Sequence, residues 1–305
     1  MSSQVSGDKA ARILILGANG QLGVELQRSF ADYSGVVALG RDRCDLADLD
    51  QVRRVIAEMR PEIVLNAAAY TAVDRAETEA ELALRVNGEA AGVLAEEASK
   101  ISALLVHYST DYVFDGSKST AWMEEDRAAP LSVYGSSKLA GERHIAEAGG
   151  RYLIFRTSWV VSPHGHNFLR TMLRLGAERD QLKIVNDQTG APTSALAIAT
   201  ATREVVERVV LAGSASTESS GVYHMTCAGQ TTWCGFAEAI FQRAQSPREQ
   251  GWAAVTGIPT EEYPTPARRP KNSVLCNEKL HSRFGVRLPS WESALDRTLH
   301  TLGLT

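Results

Sequence analysis

No stretch of the chain holds the ~18 consecutive apolar residues that span a bilayer, so a membrane helix is not expected. Basic residues are not in excess: 32 Lys and Arg stand against 36 Asp and Glu, a formal charge of −4. That balance lacks the basic footprint of a nucleic-acid binder. Cysteine is scarce. Cys44, Cys227, Cys234 and Cys276 form no C-x-x-C pair and fit no zinc spacing,. Isolated thiols of this kind suit a reducing cytoplasm, although a Cys227–Cys234 pairing stays open at this stage. Residues 1–10 are polar and lack the apolar core of a signal peptide; they are expected to form a mobile arm. Internal repeats are absent. What remains is an ordinary globular composition, 44% hydrophobic over 305 residues, enough to bury a substantial core without disulfide or metal staples.

Short apolar runs alternate with helical patterns through the first half. Residues 12–16 (RILIL) read as a buried parallel strand running into a glycine cluster, and 21–30 as the helix that follows,. Further strands are expected at 36–39, 63–65, 104–107 and 152–156. Helices are expected at 49–59, closed off by Pro61, at 79–100, where Leu82, Val86, Ala90 and Val93 recur at helical spacing, and at 132–148,. This alternation predicts an α/β, Rossmann-type doubly wound parallel sheet. Residues 11–160, with parts of 180–230, are assigned to it as a dinucleotide-binding domain. Beyond 160 the rhythm loosens. Helices are expected at 167–175, 194–210, 233–244 and 291–302, with a small, polar surface loop at 211–221. The segment 259–270 carries four prolines and must be extended with fixed turns,. Residues 161–305 are expected mainly to form a smaller, substrate-binding part over the carboxyl edge of the sheet, where open α/β folds bind ligands.

Two local patterns carry chemistry. Gly17, Gly20 and Gly23 lie between the first strand and its helix. They allow a tight turn, a close approach of a pyrophosphate and close helix packing, with the helix N-terminus facing the phosphate. At the end of the second strand, Gly40-Arg41-Asp42-Arg43 lacks an acidic residue in the first position. Arginine there can pair with a 2′-phosphate, so NADPH is expected to be preferred, with NADH admitted; solvated arginines are the alternative. Tyr134 and Lys138, four apart at the start of a helix, share a face,. A nearby ammonium is expected to lower the tyrosine pKa from its ordinary value of about 10, and Tyr134 can then pass a proton to a carbonyl oxygen. Thr110, just past the fourth strand, can bond the same oxygen.

The segments GANGQLG (17–23), NAAAYTAVDRAE (66–77), HYSTDYVFDG (107–116), VYGSSKLAGE (133–142), FRTSWV (155–160), NDQTGAPT (186–193) and YPTPARRP (263–270) run in order along nearly the whole chain. With them the chain resembles the extended short-chain dehydrogenases/reductases and, within these, the dTDP-4-dehydrorhamnose reductase family. The resemblance implies NADPH-dependent reduction of the C4 ketone of dTDP-4-dehydro-6-deoxy-L-mannose to dTDP-L-rhamnose, a surface-polysaccharide precursor. It implies Tyr134 as proton donor, Lys138 as its partner and Thr110 as stabiliser of the carbonyl oxygen. Gly17, Asn19, Gly20, Gln21, Leu22 and Gly23 would lie at the pyrophosphate and Arg41, Asp45 and Leu46 around the adenosine. Ala67, Ala68, Ala69, Tyr70 and Thr71 would line the cofactor. Val73, Thr110, Asp111 and Trp159 would contact the sugar nucleotide. Core filling is the alternative for Trp159.

Arg268 and Arg269 are candidates for the substrate diphosphate, a surface charge pair being the alternative. Some family members are described as magnesium-bridged dimers, so a homodimer and Mg2+ are admitted. No acidic cluster here clearly supplies that metal site, and His164 and His166 do not make one. Two rivals stay open. A sugar-nucleotide epimerase or dehydratase would retain its cofactor; the STDYVF (109–114) and ARRP (267–270) segments argue against it. A non-catalytic NADP-binding subunit, like the β subunit of methionine adenosyltransferase, would not need Thr110, Tyr134 and Lys138 together. Which 4-keto stereoisomer is taken stays open.

Overall fold

The computed structural model describes residues 11–211 and 217–305. The expected arm at 1–10 and residues 212–216 of the expected loop lie outside the described residues. Six strands form one parallel sheet: β1 (Ile13–Leu16), β2 (Val36–Leu39), β3 (Ile63–Asn66), β4 (Leu104–Thr110), β5 (Arg151–Thr157) and, after a separate strand β6 (Gln181–Val185), β7 (Gly221–His224). Their order is β7-β5-β4-β3-β1-β2. Ile13 lies opposite both Val36 and Ile63, Leu104 opposite Ile63 and Arg151, and Gly221 opposite Leu153. The chain reverses its direction of travel at β1, so a crevice opens between the carboxyl ends of β1 and β3, where such sheets bind ligands.

The strands are apolar throughout because both faces are covered. Their period of two divides the core. Ile13, Ile15, Leu65, Val106 and Phe155 face α1 (Gln21–Ser29) and α6 (Ala195–Leu211), meeting Leu26, Phe30, Ile198 and Val205. Leu14, Leu16, Val64, Leu105 and Ile154 face Val52 and Ile56 of α2 (Leu49–Met59), Ala91 and Leu94 of α3 (Ala90–Lys100) and Ile145 of α4 (Val133–Glu147). Each such aliphatic side chain contributes about 1.5–3 kcal/mol by burial, which holds the loops at the carboxyl edge on a rigid base.

The single helix expected over 79–100 is interrupted. It runs as Ala80–Leu84, a π-helical turn Arg85–Glu89 and then α3. The turn places Asn87, only 1% exposed, where its amide reaches two neighbouring elements. After β5, α5 (Phe168–Glu178), α6, α7 (Trp233–Arg243) and α8 (Trp291–Thr301) occur where the sequence places helices, and a short helix at Glu278–Phe284 is additional. β6 pairs in parallel with β8 (Ala254–Ile258), outside the main sheet. The proline segment is irregular apart from one 3-10 turn, Thr260–Glu262. The four cysteines are unpaired, three of them buried. Among the described residues, no helix is long and apolar enough to cross a membrane.

Candidate active site

The turn from β1 to α1 is shaped by contacts only glycine allows. Gly17 has φ +80, and a Cβ there would lie 2.7 Å from the Ala68 nitrogen; one on Gly23 would lie 2.1 Å from the Gly17 carbonyl oxygen. A Cβ on Gly20 would press on the Gly17 carbonyl oxygen at 3.3 Å, the one atom within 4 Å, so this side of the turn is otherwise open. Gln27 Nε2 donates to the Ala18 and Gly23 carbonyls at 2.8 and 3.0 Å and ties the loop to its helix. No side chain caps α1. Its first N–H groups, on Gln21, Leu22 and Gly23, therefore have no partner within the helix and present the positive end of its dipole. The Gln21 side chain turns instead to Asn167, accepting from Nδ2 at 2.8 Å. Asn19 lies against Gly40 at the end of β2.

Past β2, Arg41 is exposed and its Nε donates to Asp45 at 3.2 Å. An exposed pair of this kind contributes under about 1 kcal/mol and is readily exchanged for a doubly charged phosphate. Leu46 is 3% exposed, in the cluster with Leu14, Leu39 and Val52. Past β3, the strip Ala67, Ala68, Ala69, Tyr70, Thr71 forms the opposite lip. Asn87 holds it in both directions: Oδ1 accepts the Tyr70 N–H at 2.8 Å, and Nδ2 donates to the Tyr70 carbonyl at 3.0 Å and to Ser137 Oγ at 3.0 Å. The Tyr70 hydroxyl donates to Glu79 at 2.6 Å. The strip is thus bolted to α4 at Ser137, the residue before Lys138.

Helix α4 starts where Ser132 Oγ accepts the Gly135 N–H and Glu77 accepts the Val133 N–H. This fixes the turn that carries Tyr134. Thr110, at the end of β4, accepts the Tyr112 N–H at 3.2 Å and donates to Asp111 Oδ1 at 3.0 Å. The Tyr134 phenol is pushed up to about 12 by burial, with a hydrogen bond to Thr110 partly offsetting it. This corrects the expected sign: Tyr134 stays protonated near neutral pH, because desolvation disfavours tyrosinate more than the neighbouring groups favour it. Lys138 itself is 2% exposed and pulled down to about 8 by desolvation, with the Glu142 carboxylate opposing. Its Nζ donates to the Tyr108 carbonyl at 2.6 Å and meets His107 Nε2 at 3.1 Å. Asp111, 2% exposed, is pushed up to about 6 by burial, with Ser273 and Thr110 opposing.

Later segments build the rest of this edge. Trp159 follows β5 with φ +47, an uncommon conformation for a bulky residue,. Its ring stacks on Trp233 with centroids 3.5 Å apart, and a Cβ on Gly190 would lie 2.5 Å from it. Val73 opens a short helix, Val73–Ala76. The next residue, Asp74, accepts the Ala267 N–H at 3.2 Å and Arg269 Nη2 at 2.8 Å. Arg269 therefore fastens the proline segment to this helix and also bonds Tyr112, whose ring meets Tyr134 edge-on. Arg268 is exposed. Both arginines, with Lys118, Lys271, Asp115 and Tyr263, line a cavity of about 660 Å3.

Several site residues went unforeseen: Asn66, His107, Asn87, Glu142 and Arg156. Glu142 accepts from Ser109 at 2.5 Å and from Arg156 Nη2 at 2.7 Å, a buried pair beneath Lys138. The available signal was a polar residue inside an otherwise apolar strand, as with Asn66 and His107. Among the described residues, no three His, Cys, Asp or Glu side chains converge in a way that could hold a metal.

Residues 11–303 match the family model of the RmlD substrate binding domain. The dTDP-4-dehydrorhamnose reductase of Burkholderia thailandensis is 50% identical over 93% of this chain and 96% of its own length. That of Escherichia coli K12 is 42% identical over 96% and 98%. Among solved structures, the dTDP-4-dehydrorhamnose reductase of Bacillus anthracis in complex with NADP superposes with a TM-score of 0.85 at 35% identity, covering 96% of this chain and 99% of that one. The UDP-glucose 4-epimerase of Thermus thermophilus, in complex with NAD, shares the fold at 21% identity and TM-score 0.75, over 95% and 98% of the two chains.

Proposed function

The chain belongs to the RmlD substrate binding domain family, and from its likeness to dTDP-4-dehydrorhamnose reductases across almost its full length we infer that it reduces the C4 ketone of dTDP-4-dehydro-6-deoxy-L-mannose to dTDP-L-rhamnose. NADPH is its reductant, and when bound it supplies the hydride to C4. The glycine turn fits that cofactor: the space at Gly20 and the uncapped end of α1 suit a pyrophosphate, and the strip from Ala67 to Thr71 supplies the facing wall,. We assign residues 11–160, with parts of 180–230, to the cofactor and residues 161–305 mainly to the sugar nucleotide. We propose a cytoplasmic location, and a homodimer whose self-association sedimentation reads out.

One observation carries the chemistry: at the carboxyl end of β4 Thr110 stands against the buried Tyr134 phenol, and one turn along the same helix Lys138 Nζ donates to the Tyr108 carbonyl of that strand. A phenol kept protonated by burial is the right form to donate to a ketone oxygen as it gains charge. Thr110 can donate to the same oxygen. Lys138 supplies positive charge beneath the tyrosinate that remains. Asp111 and Trp159 are assigned to the sugar and Arg268 to the diphosphate. In an assay at 340 nm with NADPH and dTDP-4-dehydrorhamnose, the wild type is expected to turn over and Tyr134→Phe to lose roughly 10²–10⁴-fold in kcat, the usual worth of a positioned acid. Full activity in the variant rejects Tyr134 as donor. No net oxidation by the wild type rejects the reductase and favours an epimerase, which returns its hydride. In the same assay NADPH is expected to exceed NADH in kcat/KM, with the gap narrowed in Arg41→Ala. A higher kcat/KM with NADH removes the 2′-phosphate role of Arg41.

A further inference from the structure

Three buried side chains on three elements form a chain of hydrogen bonds that ends on Lys138. Asn66 closes β3, His107 lies in β4 and Lys138 on α4; they are 1%, 1% and 2% exposed. Asn66 Oδ1 accepts the Ala68 N–H at 3.2 Å, so its Nδ2 faces His107 Nδ1, at 3.0 Å. His107 Nε2 meets Lys138 Nζ at 3.1 Å. A neutral imidazole has one donor and one acceptor. With the Asn66 amide donating to Nδ1, the ring proton belongs on Nε2, pointing at the lysine. An amine can accept that proton; an ammonium, with no lone pair, cannot.

We propose that His107 is a positioning residue for Lys138: fixed by Asn66 with its proton on Nε2, it offers a donor where an ammonium needs an acceptor, and so keeps Lys138 ready to release a proton to Tyr134. The proposal deepens the reading above, since it takes Tyr134 as the proton donor. The balance is simple. The phenol O–H breaks as its proton goes to the ketone oxygen; an Nζ–H of Lys138 breaks as a bridging water passes one proton on to re-form the phenol and takes up the lysine's, and the neutral amine accepts the His107 Nε2–H until solvent water returns its proton. Nothing is oxidised or reduced in this relay. Burial and the Lys138 charge both hold the His107 pKa well below its ordinary value, so the ring stays neutral while the lysine titrates. The other charged groups around Lys138 are Glu142, one turn further along α4, and Arg156 of β5, which neutralises it. Tyr134 shares its helix face and Asp111 lies past the end of β4.

Nitrogen-15 NMR of histidine- and lysine-labelled whole protein tests this without turnover. The wild type is expected to show the His107 proton on Nε2 and Lys138 titrating below free lysine. In His107→Gln the amide oxygen can accept from an ammonium, and the Lys138 titration is expected to rise by roughly one pH unit, a tenfold change in the ammonium-to-amine ratio. The basic limb of kcat/KM should move with it while KM for NADPH holds. Asn66→Asp, which captures the Nδ1 proton and frees Nε2 to accept, should shift it the same way. A wild-type ring protonated on Nδ1, or a Lys138 titration unmoved in both variants, overturns the proposal. If the wild type fails to oxidise NADPH, the assigned reaction falls instead, and the tautomer still decides the role of His107.

Discussion

Asp111 carries a penalty that its environment makes measurable. Its carboxyl is pushed from an ordinary 3.8 up to about 6, chiefly by burial. A raised carboxylate pKa means that the charged form is disfavoured in the fold. The penalty is absent below about pH 4, grows as the pH rises through 6 and is complete at pH 8. Asp111→Asn is therefore expected to stabilise the protein at pH 8, by on the order of 3 kcal/mol at most, while lowering activity toward the sugar nucleotide. Urea unfolding at pH 8 and pH 4.5 checks it; a gain that is equal at both pH values would remove burial of charge as the cause. The glycine turn and the pair Tyr134 and Lys138 were readable because each is a local pattern whose chemistry needs that spacing. Asn66, His107 and Glu142 were not, since they meet only when β3, β4 and α4 pack. The sign of the Tyr134 shift was lost for the same reason: spacing brings an ammonium near, but burial is tertiary.

Strands β1 to β5 announced themselves as apolar runs because both sheet faces are covered. β8 did not, being largely exposed along its length, and β6 alternates in only five residues. Apolar spacing also continued smoothly through 79–100, so nothing marked the π turn. Such turns often accompany functional sites, and here the turn makes a helix residue the anchor of the strip from Ala67 to Thr71, the proposed wall of the cofactor site. Asn87→Ala removes three hydrogen bonds. At roughly 1 kcal/mol each, not fully additive, the loss is expected to raise KM for NADPH about tenfold and to leave the proton-transfer residues in place. Steady-state kinetics and NADPH titration test it. An unchanged affinity would mean that the strip from Ala67 to Thr71 keeps its shape without Asn87.

Across the molecule, the proline segment is held over the carboxyl edge by Asp74, which takes both the Ala267 N–H and the Arg269 guanidinium. Arg268 and Arg269 therefore differ in role, although the sequence offers them as equals. Arg268→Ala is expected to raise KM for the sugar nucleotide several-fold through the diphosphate. Arg269→Ala should raise it and lower kcat as well, since it frees the segment and the Tyr112 ring that packs against Tyr134. If neither variant changes KM, the diphosphate assignment fails. The sheet itself sets a limit on how such a protein can be rebuilt. Its outermost strand, β7, is contributed by residues 221–224, after the chain has already left the sheet to form α5, β6 and α6. The cofactor half is thus not a cassette that ends at β5: cut there, β5 becomes a bare edge open to pairing with other chains. Exchanging substrate specificity between relatives by recombination would require junctions on both sides of β7, so inheritance of the two halves is coupled by the order in which the chain visits the sheet.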